Sequence, residues 1–445
     1  MRFHFYIFLL WTFQVIHAQE IYKPLPVAKK EKQNLIIEKL DNKLNSKLKN
    51  ISKQFSGKKK KLLKKMYEAQ FEDLLIDINK GELYLYQPNI EYLYKIFERI
   101  ADNNPLLENY DLFIDFSRKT TANAYSVGDG FIIINFYLLN FLEKEDELAS
   151  IIAHEIAHDI LHHRDKSFNE WVDLYISKDY KKRQKSILKE NYGRQQKAEK
   201  FLKNIIYTRK HKSRKQEYEA DSLGLILLNN SGYNPDASIR SLQIMDSVDI
   251  EKDSIDEALL RKYFHTSQIK FDKNWLFQED FSGYVYKKDK KWNQDSLKTH
   301  PDCKNRIIKL NKIMSTLNPI ELKKPVNQQK FNELKKIALF ENIYNYYYFE
   351  DYGYGLYHNL LALKKYPGDK FLLKMFGKFL KKLSEAKKNM NFNHYVPSLN
   401  PPEQTKSFQL FVNFMYNIPA NELSAIGDNY LNNYYINEKH PLNKN

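Results

Sequence analysis

His154-Glu155-Ile156-Ala157-His158 places two histidines four residues apart in a chain that reads as mostly helical. On a helix, residues four apart lie about 40° apart around the axis, so both imidazoles leave the same face. That spacing lets two side chains grip one metal ion. Glu155, directly after the first histidine, can reach a water on that ion. Working outward, Glu145, Asp146 and Glu147 put negative charge where the helix dipole favours it, and mark the start of this helix. Before it, Gly128-Asp129-Gly130 reads as a turn leading into Phe131-Ile132-Ile133-Ile134, a β-branched strand. Tyr110 to Phe116 is a second strand candidate. These two strands are most of the sheet the sequence offers.

The remainder is helical. Leu40, Leu44, Leu48, Ile51 and Phe55 recur at three- and four-residue spacing under a lysine-rich outer face, and Gly57 ends that helix. Leu63, Tyr67, Phe71, Leu74 and Ile78 predict a second helix over about 60–78. Pro88 opens a third, Tyr92 to Ile100. Residues 164–215 are polar, charged and helical, and Asn234-Pro235 starts a further helix. Residues 250–299 read as loops with short helices, and the chain from about Pro319 onward is all-helical. Ala362 to Pro367 resembles the end of a tetratricopeptide-type helix pair, one match where a solenoid needs at least three. The expected fold is therefore α+β, mainly α. It divides into a basic pair of N-terminal helices (19–87), a domain with a small sheet around the histidines (88–318) and a helical, tetratricopeptide-like C-terminal domain (319–445).

The 445 residues carry a formal charge of +16, with 42 % apolar and 14 % aromatic residues, enough for a sizeable core. The lysines are scattered along helices without a nucleic-acid motif, so a solvated surface is expected and a nucleic-acid partner is not. Arg2, the apolar run Phe3 to Val15 and Ile16-His17-Ala18 form a secretory signal peptide over 1–18. No cysteine follows Ala18, which argues against a lipid anchor. No later run reaches the ~20 apolar residues of a membrane span; the Lys58 to Lys61 run leaves room for peripheral membrane contact. Cys303 is the only cysteine, so stability must come from packing. An exported protein of a bacterial periplasm or cell envelope is expected.

A hydrolytic zinc site needs three protein ligands and an open position for water, and the two-histidine spacing with its glutamate is a zinc-protease signature. The third ligand is sought in Glu217-Tyr218-Glu219-Ala220-Asp221, where Glu217 and Asp221 share a helix face. One carboxylate can bind metal while the other orients a ligand histidine. Glu219 points away from that face, and His162 and His163 read as surface histidines.

Four blocks together give a specific resemblance. Asn123-Ala124-Tyr125-Ser126-Val127-Gly128-Asp129-Gly130, Asp146-Glu147-Leu148-Ala149 running into the histidines, Glu217 to Asp221, and Thr299-His300-Pro301-Asp302 with Arg306 resemble the exported members of the HtpX/BepA-type zinc peptidases, the family that includes the CAAX prenyl proteases. The resemblance covers about residues 90–315. It implies a zincin-like (gluzincin) metallopeptidase domain holding one Zn2+ through His154, His158 and Glu217. Glu155 would be the catalytic residue, and Asp221 the partner behind a ligand. Arg306 is expected beside them. His300 would sit at the fourth metal position or steady the oxyanion, or only cap the following helix. Asn123 and the strand Phe131, Ile132, Ile133, Ile134 would line the cleft and take an extended substrate by edge pairing. Gly128-Asp129-Gly130 departs from the family's paired glycines. The implied activity is endoproteolysis of exported or envelope proteins, unfolded or misassembled, with the C-terminal helices recruiting an envelope partner. The competing reading is a zinc-stabilised, chaperone-like scaffold with little proteolysis; the intact Glu155 argues against it.

Overall fold

A computed structural model describes residues 21–190, 192–248, 250–251, 253–277, 303–318, 321–397 and 404–439. The signal peptide expected over 1–18 and the Thr299-His300-Pro301-Asp302 block, with its expected role for His300, lie outside them. None of the described helices is long and apolar enough to cross a membrane.

The small sheet comprises β1 (Phe113–Ser117), β2 (Ala124–Gly128) and β3 (Phe131–Asn135), in the order β1-β3-β2. β3 runs parallel to β1, with Phe113 opposite Phe131 and Ser117 opposite Asn135, and antiparallel to β2. The hairpin between β2 and β3 turns on three consecutive left-handed residues, Gly128, Asp129 and Gly130. A Cβ on Gly130 would lie 2.1 Å from the Asp111 carbonyl oxygen, so glycine is required there. Asp129, a residue type that tolerates this conformation, places its carboxylate 2.8 Å from Lys47.

This arrangement corrects one expectation. Phe131 to Ile134 is not an edge. All five residues of β3 are buried between two partner strands, and its unbroken apolar run suits a central strand covered on both faces. β1 and β2 are the edge strands, and the one beside the histidine helix is β2, which the sequence conceals because Ala124, Ser126 and Gly128 carry little strand propensity.

Two helical layers flank the sheet. α1 (Lys30–Gln54) and α2 (Gly57–Asn79) pack through Leu40, Phe71, Leu74 and Ile78 onto Phe113, Phe131 and Ile133. On the opposite face, α3 (Gln87–Asp102), α4 (Glu145–Ile160), the end of α7 (Arg194–Asn230) and α8 (Asp236–Ser247) surround Ile114, Phe116, Ile132 and Ile134. α5 (His163–Ile176) and α6 (Lys178–Leu188) link α4 to α7. α10 (Cys303–Met314) closes the side of α7 and α8 through Cys303 and Leu310.

The C-terminal region has its own aromatic core, built by α12 (Tyr352–Lys365), α13 (Lys370–Lys388), α14 (Lys406–Asn417) and α15 (Ala420–Lys439). α11 (Gln328–Tyr348) belongs to both cores, giving Phe331, Leu334 and Ala338 to one and Ile343 and Tyr346 to the other. Residues 255–276, counted by sequence with the peptidase domain, pack instead on the C-terminal core. α9 (Glu257–Phe264) buries Leu260 and Phe264 there, and Phe264 sits edge-on to Phe414.

Candidate metal centre

α4 and α7 cross closely enough to face their polar side chains. The contact depends on Gly224: a Cβ there would lie 3.0 Å from His154 Cα and 3.1 Å from its backbone nitrogen. One and two turns earlier on α7 come Asp221 and Glu217, on the same side of the helix. Ligand atoms of His154, His158 and Glu217 lie within 4.8 Å of one another. The two Nε2 atoms face each other at 3.1 Å, and the Glu217 oxygens lie 3.6 Å from His154 and 3.5 Å from His158.

The surroundings fix each donor's orientation. Asp221 Oδ1 is 3.1 Å from His154 Nδ1, so that nitrogen carries the proton and Nε2 presents its lone pair to the centre. Arg306, almost fully buried, donates from Nε and Nη2 to both Asp221 oxygens at 2.7 Å, and its Nη1 lies 2.9 Å from Glu217 Oε2. The guanidinium thus places one carboxylate and neutralises part of the charge of two.

His158 has a different support. Its Nδ1 is 2.9 Å from Nδ1 of His163, whose Nε2 is 3.1 Å from Glu219 Oε2. The consistent tautomers have His158 Nδ1–H donating to His163, and His163 Nε2–H donating to Glu219. His163 is therefore not a surface histidine but a buried group behind a ligand, and Glu219, half-exposed, holds it. The sequence hides this because α4 stops at Ile160 and His162 takes a left-handed conformation, φ 53°. That break turns the next helix so that His163 faces back toward His158. Periodicity along a continuous helix does not anticipate it.

The residues present fit a divalent cation. Two imidazole nitrogens and a carboxylate converge within 4.8 Å of one another, with the His154 proton held away from them on Nδ1 by Asp221. Burial acts to lower the pKa of His154, but Asp221 and Glu217 outweigh it and lift it to about 10. The pocket thus favours positive charge where the ligand atoms meet. Burial and the neighbouring His154 push His158 down to about 3, leaving it an unprotonated base at neutral pH. Glu217, although buried, is held well below the usual carboxylate range by His154 and Arg306. A two-histidine, one-carboxylate set matches the catalytic type of zinc site.

Glu155 lies beside this set. Burial raises its pKa above the ordinary carboxylate value, and its Oε2 accepts from Ser126 N on β2 at 2.8 Å. The edge strand and the candidate base are therefore in direct contact. Arg164 Nη2 donates to the Ser126 carbonyl at 3.0 Å, and Asp159 binds the hairpin through Gly130 N at 2.8 Å and Tyr110 at 2.5 Å. Asn123 lies at the start of this edge, where its carbonyl accepts from Asn135 N at 2.9 Å. A cavity of about 370 Å³ runs along β2 past Glu155, His158 and Glu217.

The comparisons agree with this geometry. The chain is 23 % identical over 189 residues to the mitochondrial metalloendopeptidase OMA1 of Schizosaccharomyces pombe, covering 42 % of this chain and 52 % of that one. It is 28 % identical over 116 residues to the mitochondrial metalloendopeptidase OMA1 of Arabidopsis thaliana, covering 26 % and 21 %. It therefore spans about half or less of the length of these curated relatives. Residues 89–314, just over half of the chain, match the model for peptidase family M48. With both histidines, the intervening glutamate and Glu217 all inside that stretch, the chain belongs to peptidase family M48.

Proposed function

We propose that the protein is a zinc-dependent metalloendopeptidase of the HtpX/BepA type, acting on unfolded or misassembled proteins of a bacterial envelope. The observation that carries the reading is the convergence of His154, His158 and Glu217 with Glu155 at their side. Export is supported by the sequence of residues 1–18, and substrate breadth by the main-chain character of an edge strand, which binds peptide backbone with little regard to side chains. The domain division at about 88 and 319 and recruitment of a partner through the C-terminal helices belong to the same proposal.

His154, His158 and Glu217 would hold the ion, oriented by Asp221, His163 and Arg306. When bound, a zinc ion supplies Lewis acidity that lowers the pKa of water and stabilises developing negative charge. Glu155 takes the proton of the attacking water and hands it to the leaving amine. Its raised pKa suits both halves of that exchange, because a carboxylate nearer neutrality holds the proton long enough to deliver it. β2 holds the substrate backbone. For this, Ser126 N must be shared between Glu155 and the incoming chain, and Arg164 must swing away from the Ser126 carbonyl.

The test is casein hydrolysis by wild type and Glu155→Gln, with zinc measured in both by elemental analysis. The expected result is equal zinc and a loss of turnover of about 10³-fold. Retained hydrolysis by the variant would remove Glu155 from its role. Absence of zinc from the wild type would remove the site.

A further inference from the structure

Apart from the histidines, Lys47 and Arg164 are the cations that line the cleft along β2, and they are bonded very differently. Lys47 lies 2.8 Å from Asp129 and 2.9 Å from Asp165, so its charge is answered twice. Among the described residues no carboxylate pairs with Arg164. Its Nη2 donates to the Ser126 carbonyl at 3.0 Å, and its guanidinium carbon stands 5.7 Å from the centre of the Phe168 ring. The acidic groups around it are engaged elsewhere. Glu155 accepts from Ser126 N, Asp165 from Lys47 and Tyr67, and Asp159 from Gly130 N and Tyr110.

The fold aims this side chain at the strand edge. Arg164 sits in the first turn of α5, just past the left-handed His162. Its stem runs under the hairpin, where a Cβ on Gly128 would lie 3.7 Å from Arg164 Cβ and Cγ. The head therefore occupies a main-chain acceptor that an added strand needs, and a substrate pairing with β2 must donate to the Ser126 carbonyl in its place. A half-buried cation released from an acceptor is costly unless a new partner meets it. A neutral side chain offers no countercharge, and a lysine repels it. A carboxylate offers two parallel hydrogen bonds. A strand added antiparallel to β2, as β3 already is, has its N-terminal residues at the Gly128 end. Arg164 spans Ser126 to Gly128 and so meets the part of the substrate N-terminal to the bond opposite Glu155.

Resting on the endopeptidase reading above, we propose that Arg164 is a specificity-determining residue: it selects substrates with aspartate or glutamate within the two residues N-terminal to the scissile bond, whose carboxylate draws it off the Ser126 carbonyl. Main-chain pairing supplies breadth, and Arg164 imposes one requirement on it. The requirement works by penalising the wrong side chain as much as by rewarding the right one.

Cleavage sites in a mixed peptide library are mapped by mass spectrometry for zinc-loaded wild type, Arg164→Gln, Arg164→Lys and Arg164→Glu, with thermal melts confirming that each is folded. Wild type should enrich Asp and Glu about tenfold over Asn and Gln before the cut, and added salt should compress that ratio. Arg164→Gln should bring it to about one, Arg164→Lys should keep part of it, and Arg164→Glu should favour Lys and Arg instead. The ratio is the readout, because a merely structural role would lower cleavage of all peptides together. No acidic enrichment in wild type, enrichment confined to residues after the cut, or an unchanged ratio in Arg164→Gln overturns the proposal. Should Arg164→Gln fail to fold, the wild-type ratio and its response to salt decide. A binding measurement separates this from failure of the endopeptidase reading. Glu155→Gln is titrated with a short fluorescent peptide carrying one central Asp, Asn or Lys. Asp should bind about tenfold tighter than Asn, with Lys weakest, and adding Arg164→Gln should erase the difference. Equal binding of the three overturns the selection even if casein is cleaved. An Asp preference that depends on Arg164, without casein cleavage by wild type, upholds the selection and overturns the activity.

Discussion

The peptidase core and the C-terminal helical region bury very different things. Around the candidate metal centre, His163, Glu155, Asp221 and Arg306 are all nearly inaccessible, as is Glu145 at the start of the same helix. Beyond α11, the core is a block of aromatic and aliphatic side chains centred on Phe376, Phe379, Leu380 and Phe411. Burying a charge costs free energy unless it is paired or ligated, so the first region carries a burden that the second avoids. Both nevertheless use glycine to bring helices together: Gly224 lets α7 reach the backbone of His154, and Gly377 and Gly427 let α13 and α15 approach until each glycine's Cβ position lies about 3 Å from the other's carbonyl oxygen. The close approach aligns ligands in one region and only deepens packing in the other.

Substitutions that strike one region and spare the other break this comparison. The largest effect on chemistry is expected from His158→Ala. It should remove zinc on elemental analysis and lower casein turnover at least ~10³-fold, yet leave the thermal midpoint of the metal-free protein almost unchanged. A variant that keeps its zinc would contradict the ligand set. Phe376→Ala is the mirror case. It opens a cavity among Phe264, Tyr263 and Tyr430 and should cost about 3–5 kcal/mol in denaturant unfolding. Turnover per folded molecule should stay within about twofold; a larger loss would mean that the C-terminal core takes part in the site.

Asp221→Asn falls between the two. Asparagine can still accept from one side of Arg306 but no longer stabilises a proton on His154 Nδ1. Zinc affinity, measured by competition with a chromophoric chelator, should fall about 10- to 100-fold. Unfolding should also become easier, because Arg306 keeps only Glu217 as a full charge partner. His163→Ala tests the other ligand's support and should weaken zinc by about tenfold, less than Asp221→Asn because no buried cation loses its carboxylate. Partial recovery in His163→Asn, which can still accept from His158, distinguishes positioning from packing.

The residues of the site were unequally legible in the sequence. His154 and His158 stand out because helical spacing alone brings them together. Glu217 and Asp221 could be found because they repeat the same four-residue logic on another helix. The identity of β2 and the role of His163 stayed hidden for physical reasons. A strand of Ala, Tyr, Ser, Val and Gly has no apolar pattern of its own and exists because β3 pairs with it. His163 reaches His158 through a left-handed break that no periodicity records. The placement of 255–276 on the C-terminal core was equally unreadable, since an amphipathic helix shows which face it buries but not against what.

The smallest effect returns to the C-terminal region, where one titratable group lies inside the aromatic packing. The His358 ring stacks flat on Tyr346, centroids 5.1 Å apart, and burial lowers its pKa to about 4 from an ordinary 6.5. The unfolded chain therefore takes up a proton at this histidine as pH falls below 6.5, while the folded chain resists until about pH 4. The stability contribution is complete above pH 6.5 and is lost progressively between 6.5 and 4. A tenfold difference in proton affinity between the folded and unfolded chains corresponds to about 1.4 kcal/mol, and the partial exposure of the ring reduces what is realised to roughly 1–2 kcal/mol. His358→Phe keeps the stack and removes the titration, so its stability should be flatter than wild type across that window. Acid also releases a bound metal by protonating its ligands, which makes the choice of probe decisive. Near-ultraviolet circular dichroism, which reports the packing of aromatic side chains such as those that fill the C-terminal core, should show the flattening in His358→Phe, whereas chelator competition should show the same acid-induced loss of zinc in both proteins. A matching change in both signals would mean that the two cores unfold as one, joined through α11.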